Sequence, residues 1–318
     1  MALSRLREVA PSEVKTWYRT FVFPLLNRRA SRRTSEFGAL VSDRKRWMFE
    51  TLPQDVAAYQ YDLFTKESQR RLAARLGLAM ADVYLAGAPL DVALDHVEEE
   101  RLDRFVIKPD SSHNSIGFRA LVRTADGFRN LRTDQVRRID QVRFDLVREY
   151  AGRGRPDAWD LEELLVPPGG DVAPIEDFKF YCFGGRTELI FHGWKLTRKP
   201  WKRRMWYSRD WEPVSPSLKR PNHTEHRVPA NAARLLEFAE HAAGQLAHPF
   251  MRVDLYDTSR GVLLGEFTHG PGGRHSFTPE WDAHLADLWR KAAADVSEGV
   301  RSGRIRPLGP EPESIAAD

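Results

Sequence analysis

The stretch Arg252–Gly273, RVDLYDTSRGVLLGEFTHGPGG, constrains the fold more than any other part of the chain. It reads as two apolar strands around a turn, with Asp254 on the first and Glu266 on the second. With the turn centred near Arg260, the two carboxylates lie opposite each other and share a face. Like charges directly opposite destabilise a sheet, so something must offset them. Arg252 and Thr268 fall on the same face as the acids. Val253, Leu255, Leu263 and Phe267 fall on the other, which becomes the core side. Two carboxylates without a fuller cage of acids suit Mg2+, which keeps several waters and is completed by substrate phosphates. An exposed hairpin whose acids pair with arginines fits the hairpin taken alone somewhat better, because charged outer faces are common on antiparallel sheets.

Two lysines sharpen the choice. In FVIKPDSSHNS (Phe105–Ser115) an apolar strand delivers Lys108 to a loop of small hydrogen-bonding residues, Ser112 and Ser115 among them. Lysine beside such donors can cradle a phosphate, although the glycine spacing of a Walker A loop is absent. Lys179, in DFKFYCF, is crowded by aromatic residues and needs an anionic partner or a route to water. Between them, DLEELLVPPGGD reads as a strand ended by Pro167–Gly170, a hinge between two lobes.

The remainder reads as helices and hairpins. Helical spacing covers Lys66–Leu78, Leu90–Leu102, Pro229–His248 and Trp281–Val300. Val142–Tyr150 fits a strand or a short helix. Strands interleaved with helices and hairpins give an α+β fold rather than a purely parallel sheet. With 318 residues there is room for one large domain or two ordinary ones, and 42% hydrophobic with 30% charged residues is a globular composition. The single cysteine, Cys182, sits in an apolar run and reads as a buried thiol in a reducing compartment. The apolar patch Phe21–Leu26 is too short to span a bilayer, and a cytoplasmic location is expected. The first 50 residues hold eleven Lys or Arg against five Asp or Glu, a net +6, so the rest of the chain carries −2. That basic region fits a solvated helical face best, with contact to an anionic membrane surface or to nucleic acid as the alternative, and peripheral association at the inner membrane face would follow from the first of these. His223 and His226 lack a nearby cysteine and make a poor zinc site.

The order of these pieces resembles the ATP-grasp superfamily, and most closely its TupA-like branch of teichuronopeptide biosynthesis. That branch has a DYKF strand, an aromatic Y..DW element and an RVDLY…GE.T…PGG hairpin. Here stand DFKFYCFGG, WYSRDW (Trp206–Trp211) and the opening hairpin, within a match covering roughly Thr65 to Trp289. The hairpin is specific, and the lysine loop much less so. The resemblance implies two α+β lobes with ATP between them, preceded by a helical N-terminal region. The expected divisions are a basic, mostly helical region over 1–78, lobes over 79–166 and 167–300, and a tail over 301–318.

The resemblance also implies roles. Lys108 and Lys179 match positions that touch ATP phosphates, with Ser112 and Ser115 in the covering loop. Glu162–Leu165, including Glu163, matches the strand that reads the adenine edge, and Asp171 the acid that holds ribose. Asp254, Glu266 and Thr268 match the Mg2+ ligands. The third of these is often asparagine across the superfamily and threonine in this branch. Arg252 matches a catalytic cation beside the γ-phosphate, with Lys179 as its companion. The implied activity is an ATP- and Mg2+-dependent carboxylate–amine ligation in cell-surface polymer or related biosynthesis. A phosphotransferase on the same site and a non-catalytic basic binding module are the alternatives. Carboxylate and amine substrates are the expected partners. Lys195–Trp211, with seven basic residues among Trp201, Trp206, Tyr207 and Trp211, fits an acidic glycan or peptide better than nucleic acid. A loop whose aromatics pack on the lobe also fits it.

Overall fold

The computed structural model of the protein describes residues 35–62, 65–110, 116–150, 156–195, 202–218, 222–223 and 225–310. Residues 1–34, Ser112, Ser115, 196–201 and the tail from 311 lie outside them. Any role of the basic N-terminus before residue 35 lies outside them as well.

Three helices lead: α1 (Glu36–Thr51), α2 (Gln54–Asp62) and α3 (Lys66–Arg75). Side chains cap two of them. The Ser35 hydroxyl accepts from the Gly38 amide at 2.9 Å, and the Thr65 hydroxyl accepts from the Ser68 amide at 3.1 Å. Helix α3 ends before Gly77, whose φ of +65° suits a residue without a Cβ.

Two antiparallel sheets follow. The first has six strands in the order β1-β6-β2-β3-β4-β5. These are β1 (Val83–Ala88), β2 (Arg104–Pro109), β3 (Arg119–Thr124), β4 (Gly127–Asn130), β5 (Val136–Arg137) and β6 (Trp159–Glu163). Helices α4 (Leu90–Glu99) and α5 (Ile139–Tyr150) bury one face of it over Phe105, Ile107, Leu121 and Leu161. The segment open to either reading, Val142–Tyr150, is thus helical, with Val142 and Leu146 inward. The opposite face carries Val106, Ala120 and, beyond β6, Leu164.

The second sheet has five strands in the order β11-β10-β7-β8-β9. They are β7 (Asp177–Phe183), β8 (Arg186–Lys195), β9 (Lys202–Ser208), β10 (Phe250–Thr258) and β11 (Gly261–Thr268). Helix α6 (Ala232–Gly244) covers one face, built from Phe178, Phe180, Val253 and Leu255. Helices α1 and α7 (Pro279–Arg301) cover the other, over Tyr181, Phe191, Trp206 and Phe250. Cys182 is buried, and burial pushes its thiol up to about 12. Of the basic-aromatic stretch, Trp206, Tyr207 and Trp211 are core residues rather than an exposed platform.

The hairpin pairs Arg252 with Thr268, Val253 with Phe267 and Asp254 with Glu266, as the sequence predicts. It then bulges, and Leu255 pairs with Leu264 and Tyr256 with Leu263. Leu263 therefore stands opposite Tyr256, not on the Leu255 face assigned to it above. Gly265 occupies the bulge, where a Cβ would come within 2.8 Å of the Tyr256 ring.

Candidate active site

Along β10 every second residue faces the α1/α7 side: Phe250, Arg252, Asp254 and Tyr256. The first lies under the helices and the rest run out beyond them, so the apolar pattern turns charged where cover ends. Register sets Lys179 of β7 beside Asp254, and Glu266 of β11 on its other flank. The Arg252 guanidinium donates to both Asp254 oxygens at 2.6 and 2.7 Å, to Glu266 Oε1 at 2.8 Å and to Thr268 Oγ1 at 2.9 Å. Lys179 Nζ donates to Asp177 at 2.9 Å and also to Asp254 Oδ2. Thr268 in turn donates to Glu266 Oε1 at 3.1 Å.

A buried arginine and a partly buried lysine thus offset the opposed acids. Burial pushes the Asp254 carboxyl up, against the pull of Arg252 and Lys179. Burial would also raise Glu266, but Arg252 and Lys179 together hold it below the ordinary value. Burial would lower Lys179, and Asp254 with Asp177 more than reverses that. The Glu266 side chain is 53% exposed while Asp254 is 2% exposed, so Glu266 is the acid that meets incoming groups.

Next to this network a cleft of about 490 Å³ opens between the two sheets, within the size range of small-ligand sites. Lys108, Glu162, Glu163, Leu165 and Glu266 line it, together with apolar Val106, Ala120 and Leu164. Lys108 pairs with Glu162 across adjacent strands. Arg260, at the hairpin turn, reaches Glu163 at 2.8 Å and Asp82 at 2.9 Å. Lys179, Arg252, Asp254 and Thr268 join the cleft through Glu266. Asp171 is exposed and does not line it.

Three residues of α3 that the sequence reading gave no role, Lys66, Gln69 and Arg70, complete the wall, and Asp160 stands behind it. Asp160 is fully buried beside Glu162, and Lys66 and Arg70 of α3 each reach it at 3.4 Å. Lys66 also donates to the Pro109 carbonyl at 2.7 Å. Burial and the neighbouring Lys108 hold the Lys66 ammonium below its ordinary value. One turn on, Gln69 donates to the Phe267 carbonyl at 3.0 Å and accepts from its amide at 2.8 Å. Period-two spacing of Asp160 and Glu162 was the available signal for this wall. Nothing in α3 distinguished Lys66 from a solvated lysine.

A metal would find hard oxygen donors here in Asp254, Glu266 and Thr268, and the Glu266 carboxylate is the exposed member of the three. That donor set fits Mg2+, which takes few protein ligands. Among the described residues no group of three or more His, Cys, Asp or Glu converges, at His223 and His226 or elsewhere. No helix of the described residues is long and apolar enough to cross a membrane.

Two antiparallel sheets, each backed by helices, thus face each other across a cleft edged with paired lysines and acids. Residues 91–290 match the family described as TupA-like ATPgrasp, and the chain belongs to that family. No curated protein matches it. Among solved structures it is similar to D-alanine–D-alanine ligase from Helicobacter pylori, at 14% identity and TM-score 0.39 over 74% of this chain and 57% of that one. The same enzyme from Bacillus anthracis, complexed with ATP, gives 12% identity and TM-score 0.45 over 79% and 70%. The ATP-grasp ligase PsnB with minimal precursor, Mg and ADP gives 15% and 0.41 over 89% and 74%. This chain thus spans little more than half the length of the Helicobacter ligase.

Proposed function

We propose that the protein is an ATP- and Mg2+-dependent carboxylate–amine ligase that works through an acyl phosphate. One observation carries this reading: the Lys179–Asp254–Arg252–Glu266 network sits on three neighbouring strands at the edge of a cleft whose far wall supplies Lys108. Every cation in it is already matched to a carboxylate, and where phosphate oxygens took over those cations the released carboxylates would turn to a bound Mg2+.

In this reading Lys108 and Lys179 hold phosphate oxygens, and the backbone of Glu162–Leu165 receives the adenine edge against Val106 and Leu164. Asp254, Glu266 and Thr268 would hold Mg2+, which when bound neutralises charge on the phosphates. Arg252 orients the γ-phosphoryl group and stabilises charge as it transfers. A carboxylate oxygen of the acid substrate attacks the γ-phosphorus, and the bond to the ADP oxygen breaks. The amine nitrogen then attacks the acyl carbon, phosphate leaves, and the nitrogen gives up a proton as the amide forms. Family membership favours an acid drawn from cell-surface polymer synthesis, and catalysis at the cytoplasmic side.

Calorimetry with ATP, with and without Mg2+, tests this. We expect nucleotide binding that requires Mg2+ and weakens roughly tenfold or more in Asp254→Asn and Glu266→Gln, with folding kept. Hydroxylamine added with a panel of carboxylates should trap a hydroxamate, which a phosphotransferase would not yield. Absence of nucleotide binding by the folded chain defeats the proposal.

A further inference from the structure

Close to this centre, Arg44 of α1 and Arg274 of the loop after β11 are half-buried cations with no carboxylate partner among the described residues. Comparable arginines here have one: Arg119 meets Glu149 at 2.6 Å, and Arg123 meets Glu98 at 3.1 Å. Neither Arg44 nor Arg274 makes an ion pair with any described residue. Arg274 donates to the Ser42 hydroxyl at 3.3 Å, and Arg44 to the Val41 carbonyl at 2.8 Å and to His269 Nε2. The Nε of each is shut off from water and has no acceptor among the described residues. A guanidinium has five donors, so both arginines keep unused ones, and leaving a charged donor unmet in a buried place is costly.

The two guanidinium groups are also held near each other. Ser42 and Arg44 lie within one turn of α1, and the loop is clamped to the start of the same helix. Ser35 donates to the Arg274 carbonyl at 3.4 Å, and the His275 ring occupies the space where a Cβ on Gly38 would stand, 2.0 Å from its Nδ1. Gly270 leaves room for the Arg44 guanidinium, about 3.5 Å from where its own Cβ would be. Burial, and the neighbouring Arg274 after it, depress the Arg44 pKa, and His248, pushed down to about 4, adds no further positive charge. Paired like charges with unused forked donors match an oxyanion, which guanidinium groups grip bidentately. The loop begins at His269, directly after Thr268, so such an anion would lie beside the reacting centre.

We propose that Arg44 and Arg274 form an oxyanion site that takes an acidic group, a carboxylate, phosphate or sulfate, of the amine-bearing substrate. Its assignment to that substrate rests on the ligase reading; the anion site does not. Inorganic sulfate is the probe, titrated calorimetrically into the full chain with the Mg2+ complex of a non-hydrolysable ATP analogue at saturation. We expect sulfate binding in the wild type that weakens roughly tenfold or more in Arg44→Gln and in Arg274→Gln, the loss of a charge-assisted pair. Analogue affinity should stay the same in both. Arg274→Lys, which keeps the charge and protects the fold, should weaken sulfate less than the glutamine variant. Equal sulfate affinity in the wild type and all folded variants overturns the site. Arginine-dependent sulfate binding without nucleotide binding keeps the site and removes the ligase reading.

Discussion

At the scale of single residues the protein concentrates buried charge in one network and buried neutrality next to it. Arg252 and Lys179 keep Asp254 paired inside the sheet, where an unmatched carboxylate would be expensive. A few residues away His248 is buried against Trp47, with Arg44 and His269 around it. Burial above all, and Arg44 after it, hold its imidazole down at about 4, against an ordinary value of 6.5. Its folded pKa lies below its unfolded one, so the unfolded chain takes up the proton first as pH falls. The sign is therefore fixed: stability is intact above 6.5 and declines toward about 4. The total is on the order of 3 kcal/mol. Urea unfolding of the wild type and His248→Leu across this range should give a stability difference that shifts against the wild type at lower pH. Parallel profiles would mean that His248 does not titrate across folding. None of this was legible in the sequence, where His248 is an ordinary residue at a helix end. Asp254, Glu266 and Arg252 were legible because alternation in a strand fixes which side chains meet.

At the scale of elements the hairpin was read correctly up to Gly265 and not beyond it. A bulge moves one residue, and apolar Leu263 and Leu264 fit either register, so the alternation carried no mark of the shift. The bulge matters because it turns Glu266 and Thr268 relative to the strand end while Leu264 stays in the core. Gly265 has no room for a side chain: a Cβ would meet the Tyr256 ring at 2.8 Å and the Asp254 carbonyl at 3.2 Å. Gly265→Ala should therefore cost about 1–3 kcal/mol by overpacking. It should also weaken Mg2+-dependent nucleotide binding, because the displaced backbone is that of Asp254. Unfolding and calorimetry on the variant check both, and an unperturbed variant would show that the bulge relaxes freely. Helix α3 was the opposite case. Its existence was plain from spacing, but its contacts were not, since they join residues nearly 200 positions apart.

At the scale of the whole molecule the two sheets have separate apolar cores, one around Phe105 and Leu94 and one around Phe180 and Leu235. What joins them across the cleft is mostly polar. Lys66 and Arg70 grip Asp160 in the first sheet, while Gln69, on the same helix, completes the Phe267 hydrogen bonds in the second. Arg260 ties the hairpin turn to Asp82 and Glu163. Cooperative unfolding depends on such ties, because two cores of this kind would otherwise melt on their own. We therefore expect one calorimetric transition in the wild type and two in the double variant Gln69→Ala, Arg70→Ala. The first sheet should melt earlier there, since its strand β5 is only two residues long and α3 then holds Asp160 through Lys66 alone. A ligand held by both sheets stabilises by mass action, about 2.7 kcal/mol at a hundredfold excess over Kd. The Mg2+ complex of the ATP analogue should then bring the two transitions of the double variant back together. A variant that still melts in a single transition would place the coupling elsewhere, in the backbone bonds from Leu264 to Ala79 and from Ser259 to Val166.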